Sequence, residues 1–334
     1  MSGSHTAAYS PPDSLGRADP VWVCRAEGVW VQDLEGTRFL DFSCGGVMPL
    51  GYNHPDVMDT VGQFEVQAGL EWPERVELQR KLAEIVPGGM NRRVVLCDSG
   101  REAMARAVAL ACRQTGRKNV VYLTEVDSPQ PELGLDAAAV VVHPLDERAG
   151  YAAELCRQSG ALLIDDETFL APGITGRMLG IEHAGIRPDM YVLGRGAAAG
   201  VPFGACVTGR STLHWPKPGS GGSPAACLAA LKYITLLEAG LLDAGRMLAG
   251  RLAGLLSEVA QQCHGCRVVG TGLVLGLRFD DPGRAARFVQ QCRASGLILG
   301  RMGDCTVAVS APLVAGPTEL DFALAVITKV LANG

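Results

Sequence analysis

The chain has 334 residues, of which 48% are hydrophobic and 19% are charged, and its formal net charge is −5. A chain of this length and composition can bury a full hydrophobic core, which excludes a disordered tail protein and a coiled coil. The negative charge argues against nucleic acid or an anionic membrane as the main partner. Only five of the 30 basic residues are lysines: Lys81, Lys118, Lys217, Lys232 and Lys329.

The N-terminal region predicts a leader followed by a small antiparallel sheet. Residues 1–20 are rich in Ser, Gly, Pro and Asp and contain no apolar signal-peptide core, so we expect a flexible leader. Residues 21–54 contain three short β-rich runs, separated by turn signals at Glu27-Gly28 and Glu35-Gly36. This pattern predicts hairpins that belong to a small domain.

From residue 55 the pattern changes to helices that alternate with short apolar strands. Strands are predicted at 94–97, 119–123, 137–145, 161–166 and 189–194. Continuous apolar strands are typical of a sheet covered on both faces, so residues 55–245 predict a large α/β domain with a mostly parallel sheet. A long helical stretch is predicted at 224–262. Residues 246–334, which include the end of that stretch, predict a small α+β domain that packs with the N-terminal hairpins.

The eleven cysteines lack the paired spacing of a secreted disulfide framework, which favours a cytoplasmic protein. No apolar run reaches the ~18 residues of a membrane span, so no membrane contact is expected. Cys263 and Cys266 form one C-x-x-C motif around His264, but the sequence has no second ligand pair at suitable spacing for zinc. We interpret this motif as a polar helix end and expect no metal.

Three motifs point to chemistry. The first is the turn at Ser99-Gly100-Arg101, between a buried strand and a helix, where free N–H groups, the helix dipole and a guanidinium would attract an anion. A plain helix N-cap at Ser99 is the alternative. The second is Asp165-Asp166-Glu167 at the end of a buried strand, where ligands bind in parallel sheets. The third is the Gly- and Ala-rich loop 194–200, whose small residues allow close approach.

In this order the motifs resemble the class III aminotransferases, which belong to the fold-type-I pyridoxal phosphate enzymes and include acetylornithine and 4-aminobutyrate aminotransferases. The resemblance runs from about residue 21 to the C-terminus. It is carried by GVWVQDLEGTRFLDFSCGGVMPLGYNHP (28–55), DSGREAMARAVALAC (98–112), the long stretch at 162–205 that begins LLIDDETFLAPG, and GSGGSPAACLAALKYI (219–234). It implies a fold-type-I large domain with a small domain built from both chain ends, and a homodimer.

The resemblance also assigns the site. The family's Ser-Gly turn holds the cofactor phosphate, which implies Ser99, Gly100 and Arg101, and its strand-end aspartate pairs with the pyridine nitrogen, which implies Asp166. The family's glycine loop carries the lysine that forms the Schiff base with pyridoxal phosphate, and here that position is Arg195. A guanidinium keeps its proton and offers no free amine, so the Schiff base cannot form at residue 195. We therefore expect ordinary transamination to be lost.

Other departures from the family pattern point the same way. The threonine that a partner subunit gives to the phosphate aligns with Gly219, beside Ser220. The arginine that binds the substrate carboxylate aligns near Val307. The segment that stacks on the cofactor ring is not recognisable in the 66 residues between Ser99 and Asp166.

Three alternatives follow for function. The chain is a degenerate homologue with a structural or regulatory role; or it binds pyridoxal or pyridoxamine phosphate without a covalent bond and acts on an amino or keto substrate; or Lys217 has replaced the missing lysine. The cofactor is accordingly non-covalent pyridoxal phosphate or none. An ion pair between Arg195 and Asp165 or Asp166, filling the emptied pocket, would fit the first alternative.

Overall fold

The computed structural model describes residues 21–62, 72–88, 92–123, 136–209 and 221–332. The predicted leader, residues 1–20, lies outside these residues. At the N-terminal end, three antiparallel strands follow one another: β1 (Val23–Glu27), β2 (Trp30–Asp33) and β3 (Arg38–Asp41). The predicted turns lie between them, where Gly28 and Gly36 have φ values of 57° and 89° that favour glycine.

The central sheet has six strands in the order β4-β9-β8-β7-β6-β5. Two helices precede it, α1 (Pro55–Val61) and α2 (Pro73–Ile85). Its strands are β4 (Val94–Cys97), β5 (Asn119–Leu123), β6 (Ala137–Val142), β7 (Leu162–Glu167), β8 (Met190–Leu193) and β9 (Gly204–Thr208). Strands β5 to β8 are parallel, and β9 is antiparallel to both of its neighbours. The prediction of a mostly parallel sheet is confirmed.

Helices cover both faces of this sheet, as its apolar strands require. Helix α3 (Gly100–Thr115) packs on one face through Ala103, Ala107 and Leu110, against residues that include Val141 and Ile164. The other face, with Leu163 and Tyr191, belongs to the larger core, to which α2 and α4 (Ala149–Ser159) contribute. Successive strand residues point to opposite faces, so residues two apart along a strand lie on the same face. We call this shared odd or even position parity, and it assigns each side chain at the sheet edge to one face.

The helix predicted at 224–262 is interrupted. Helix α5 (Pro224–Leu236) and helix α6 (Leu242–Gln261) are joined by a π-helical turn, Leu237–Leu241, in which Gly240 has a φ of 120°. This stretch is long and apolar enough by length and composition to cross a membrane, which contradicts the expectation that no apolar stretch has that length. The same criterion is met by core helices of soluble proteins, and α5 buries residues such as Tyr233 and Ile234 in the core.

The C-terminal strands form a second antiparallel sheet, in the order β10-β11-β14-β13. The elements are β10 (Cys266–Thr271), β11 (Val274–Phe279), α7 (Pro282–Ala294), β12 (Leu297–Ile298), β13 (Gly300–Met302), β14 (Thr306–Ser310) and α8 (Pro317–Ala332). Strand β12 is not part of this sheet. It pairs in parallel with β3 of the N-terminal sheet, with Leu297 opposite Leu40. The two chain ends therefore share one sheet, whereas the exact domain boundaries at 54 and 245 stay a prediction.

Candidate active site

The candidate site lies at the carboxyl edge of the central sheet. Strands β4, β6, β7 and β8 run in the same direction and end there, and the next residues along the chain are Asp98-Ser99, His143, Thr168 and Gly194-Arg195. In open α/β sheets this edge is where ligands bind. The structure thus brings together the three motifs that the sequence separates by up to 96 residues, from Ser99 to Arg195.

The Ser99-Gly100 turn is both a helix cap and a donor site. The Ser99 hydroxyl accepts a hydrogen bond from the Glu102 amide at 3.2 Å. Burial would raise the pKa of Glu102, but hydrogen bonds from Arg106 and the Asp98 amide outweigh it and hold that pKa below its ordinary value. Within the described residues, the amides of Gly100 and Arg101 form no hydrogen bond. These two donors, at the positive end of α3, remain free for an anion.

Glycines bring three backbone segments into contact around this turn. A Cβ atom at Gly100 would lie 2.9 Å from Cγ2 of Thr168 and 3.3 Å from Cα of Gly194. A Cβ atom at Gly204 would lie 2.1 Å from the Ser99 carbonyl oxygen. The ends of β4, β7, β8 and the start of β9 can approach this closely only because these positions lack side chains.

Asp166 lies on the α3 face of the sheet, the same face as the Ser99-Gly100 turn, because it shares the parity of Ile164. Its Oδ1 accepts hydrogen bonds from the Thr168 hydroxyl at 2.6 Å and the Thr168 amide at 3.1 Å. Its Oδ2 forms no hydrogen bond with the described residues. The side chain is half-buried, so this oxygen can accept from a ligand donor.

His143 is a site residue that the sequence analysis missed. It continues the α3-face parity of Val141, next to Asp166, and its Nδ1 accepts a hydrogen bond from the Leu145 amide at 3.3 Å. Burial lowers the pKa of His143 below 6.5, although the charges of Asp166 and Asp146 oppose that shift. The ring is therefore neutral at pH 7. Its place directly after an apolar strand, at the same edge as Asp166, was the available signal.

Asp165 and Glu167 face away from this site. They share the parity of Leu163 and are 0% and 1% exposed. Burial raises the pKa of Asp165 well above its ordinary value, and the carboxyls of Glu167 and Asp166 raise it further. Neither Asp165 oxygen accepts a hydrogen bond from described residues, whereas a protonated Asp165 can donate one to Glu167. Glu167 in turn accepts from the Ile181 amide at 3.0 Å.

Arg195 begins a short 3₁₀ helix, Arg195–Ala198, and its side chain is exposed. Among the described residues it forms no ion pair with Asp165 or Asp166, so the proposed structural pairing is wrong. Asp165 is 0% exposed whereas the Arg195 side chain is exposed, and Oδ1 of Asp166 already accepts a hydrogen bond from the Thr168 hydroxyl. No ion-pair partner of the Arg195 guanidinium lies among the described residues.

The remaining predicted positions divide into two groups. Lys217, Gly219 and Ser220 lie outside the described residues. Val307 is fully buried in β14, so that position supplies no cation for a carboxylate. Of the described lysines, Lys81 pairs with Glu238 and Lys232 lies 4.0 Å from Asp56, while Lys118 precedes β5 at the opposite sheet edge and Lys329 lies in α8.

The described residues fit the phosphate and ring of pyridoxal phosphate but not its covalent attachment. The free amides of Gly100 and Arg101 are suited to the phosphate, and the Asp166 carboxylate is suited to a protonated ring nitrogen. Arg195 has no amine that could bond to the aldehyde.

Comparisons with known proteins identify the family. The model of the family described as "Aminotransferase class-III" matches residues 15–126 and 136–331. The acetylornithine aminotransferase of Archaeoglobus fulgidus is 28% identical over 362 residues, covering 91% of this chain and 94% of the relative. That of Thermosynechococcus vestitus is 29% identical over 391 residues, covering 94% and 93%.

Solved structures show the same fold. A phospholyase from Arthrobacter in complex with phosphoethanolamine superposes with a TM-score of 0.83 at 20% identity, covering 99% of this chain and 97% of that one. The N-acetylornithine aminotransferase of Stenotrophomonas maltophilia K279a gives 0.81 at 23% identity, covering 96% and 99%. The fold is that of the fold-type-I pyridoxal phosphate enzymes. The chain belongs to the class III aminotransferase family.

Proposed function

We propose that this chain is a class III aminotransferase homologue that has lost ordinary transamination and has a structural or regulatory role. One observation carries the proposal: Arg195 lies two residues past the end of β8, at the carboxyl edge of the sheet, and no described lysine contacts Ser99, Asp166 or Arg195. A lysine with a free amine would serve both as nucleophile and as proton carrier, and a guanidinium serves as neither.

The test is an assay of amino-group transfer with the purified chain and its R195K variant. N-acetylornithine and ornithine, the substrate classes of the relatives, serve as donors with a keto acid acceptor and added pyridoxal phosphate. We expect no turnover by the natural chain above the rate without protein. Turnover by the natural chain would contradict the proposal, and borohydride trapping at Lys217 would show which amine performs it.

A second candidate function is non-covalent binding of pyridoxal or pyridoxamine phosphate, with chemistry on an amino or keto substrate. Three features favour it: within the described part of the chain, the Gly100 and Arg101 amides, Oδ2 of Asp166 and the exposed guanidinium of Arg195 have no partner. Together they offer donors for a phosphate and an acceptor for a ring nitrogen.

Spectroscopy distinguishes the two candidates. In a titration with pyridoxal phosphate, saturable binding that borohydride does not make covalent supports the second candidate, whereas no uptake supports the first. The R195K variant tests the pocket itself. Covalent attachment at residue 195 in that variant would show that the pocket is intact and that arginine alone prevents attachment.

We further propose that the chain forms a homodimer, as the family resemblance implies. Light scattering coupled to size-exclusion chromatography measures the mass. A mass near twice the chain's 35.1 kDa supports the proposal, and a monomer at micromolar concentration contradicts it.

A further inference from the structure

The C-x-x-C motif forms a compact turn between the end of α6 and the start of β10. His264 and Gly265 form the turn, in which Gly265 has a φ of 69°; Cys263 precedes it, Cys266 begins β10, and both thiols are free and half-buried. A four-residue turn brings its first and fourth Cα atoms within about 7 Å. Disulfides span about 4.4–6.8 Å between Cα atoms, so this turn has the reach for one.

A guanidinium is fixed against the first thiol. Arg284, in the first turn of α7, donates through Nη2 to Sγ of Cys263 at 2.9 Å and through Nη1 to the His264 carbonyl at 2.5 Å. It also lies 5.5 Å from the ring centroid of Phe279. Arginine is charged at any physiological pH and stabilises a thiolate beside it.

The two thiols therefore have different environments. Burial raises the pKa of Cys266 to about 11, the Cys263 and Asp280 charges raise it further, and Arg284 lowers it. Cys266 is the thiol that stays protonated at pH 7. Cys263 is the thiol in direct contact with the Arg284 guanidinium, which is placed to stabilise negative charge that develops on that sulfur during exchange.

We propose that Cys263 and Cys266 form a reversible thiol–disulfide pair, in which Cys263 is the attacking sulfur and Cys266 the resolving one. The pair lies outside the carboxyl edge of the central sheet, so this proposal does not depend on the proposed function. The oxidant is a small disulfide of the glutathione class, which is present in reducing compartments at a low fraction.

The exchange balances in two steps. The Cys263 thiolate attacks one sulfur of glutathione disulfide, which forms a mixed disulfide and releases one glutathione thiolate. The Cys266 sulfur then attacks Sγ of Cys263, which closes the intramolecular disulfide and releases the second glutathione thiolate. The two protons of the protein thiols pass to the two glutathione thiolates, and excess glutathione reverses both steps.

Mass spectrometry of the native chain tests the proposal. Trypsin cleavage after Arg251 and Arg267 leaves both cysteines in one peptide, 252–267, which loses two hydrogens when the disulfide closes. Peptide 288–293 carries the buried Cys292 and is the internal control. After equilibration in mixtures of glutathione and its disulfide, followed by alkylation, we expect the disulfide in 252–267, its reversal by excess glutathione, and no change in 288–293.

Two variants assign the roles. C266S removes the resolving sulfur, so glutathione should accumulate on Cys263. R284Q removes the cation, so native alkylation of Cys263 at pH 7 should slow about tenfold, whereas that of the exposed Cys24 should not change. Circular dichroism confirms that both variants are folded. The proposal fails if 252–267 stays fully alkylatable in oxidised buffer, or if Cys263 is alkylated at the same rate in R284Q and in the natural chain.

Discussion

The position of Gly204 is set by the carbonyl oxygen of Ser99, which would lie 2.1 Å from any Cβ atom placed there. Gly204 begins β9 and pairs with Cys97 at the end of β4, so the two strands fix the turn that precedes α3. The backbone at Gly204 does not require glycine for its φ angle. Glycine is required at this position because of the contact with the Ser99 carbonyl oxygen.

Substituting Gly204 with alanine should therefore destabilise the chain and displace the Ser99-Gly100 turn. Forced overpacking against backbone costs about 1–3 kcal/mol. The matched control is G254A in α6, where an added Cβ meets nothing within 4 Å and should stabilise by about 0.5–1 kcal/mol. Urea unfolding measures both variants. Equal stability of G204A and the natural chain would show that β4 and β9 can separate at no cost.

Two serine caps offer a second comparison. Ser99 accepts from the Glu102 amide at 3.2 Å, and Ser223 accepts from the Ala226 amide at 3.3 Å at the start of α5. S99A and S223A should each cost about 1 kcal/mol of unfolding free energy, because each leaves one helix donor without its cap. A loss confined to one variant would contradict this equivalence.

The buried carboxyls predict a stability that depends on pH. Burial raises the pKa of Glu167 to about 8, against 4.5 for an ordinary glutamate. The folded state therefore holds a proton that the unfolded state has released, and stability falls as pH rises from 4.5 to 8. Burial lowers the pKa of His143, and its effect has the opposite sign: the folded chain loses stability as pH falls below 6.5.

Thermal unfolding of the natural chain and of E167Q between pH 6.5 and 8.5 measures the contribution of Glu167, because the buried Asp165, whose pKa is also raised, is present in both. We expect the melting temperature to fall with pH in the natural chain and to fall less in E167Q, which keeps an acceptor for the Ile181 amide. The exposed Glu258 in α6 supplies the control, E258Q, which should retain the slope of the natural chain. An unchanged slope in E167Q would mean that Glu167 is ionised in the folded state.

The sequence predicts much of this fold because its local signals agree with each other. Apolar runs place β4 to β8 to within a few residues, and the ends of those runs locate Ser99 and Asp166 at one sheet edge. The break at Gly240 is not predicted, because an isolated glycine in a helical pattern is ordinarily tolerated. The sequence does not say which of Asp165 and Asp166 faces the site, because that depends on which face of β7 packs against α3.

The carboxylate of Asp166 carries the last prediction, which applies to the second candidate function. If pyridoxal phosphate binds without a covalent bond, Oδ2 of Asp166 accepts from its protonated ring nitrogen. D166N keeps the shape but removes the charge, and a hydrogen bond to a charged group contributes about 1.5–3 kcal/mol, so affinity should fall roughly 10- to 100-fold.

D165N is the matched control for that measurement. Asp165 is adjacent in sequence but sealed on the opposite face of β7, so its amide variant should bind pyridoxal phosphate with the affinity of the natural chain. Fluorescence titration measures all three dissociation constants. Equal losses in D166N and D165N would show that the effect comes from a general disturbance of β7, and no loss in D166N would place the ring elsewhere than at Asp166.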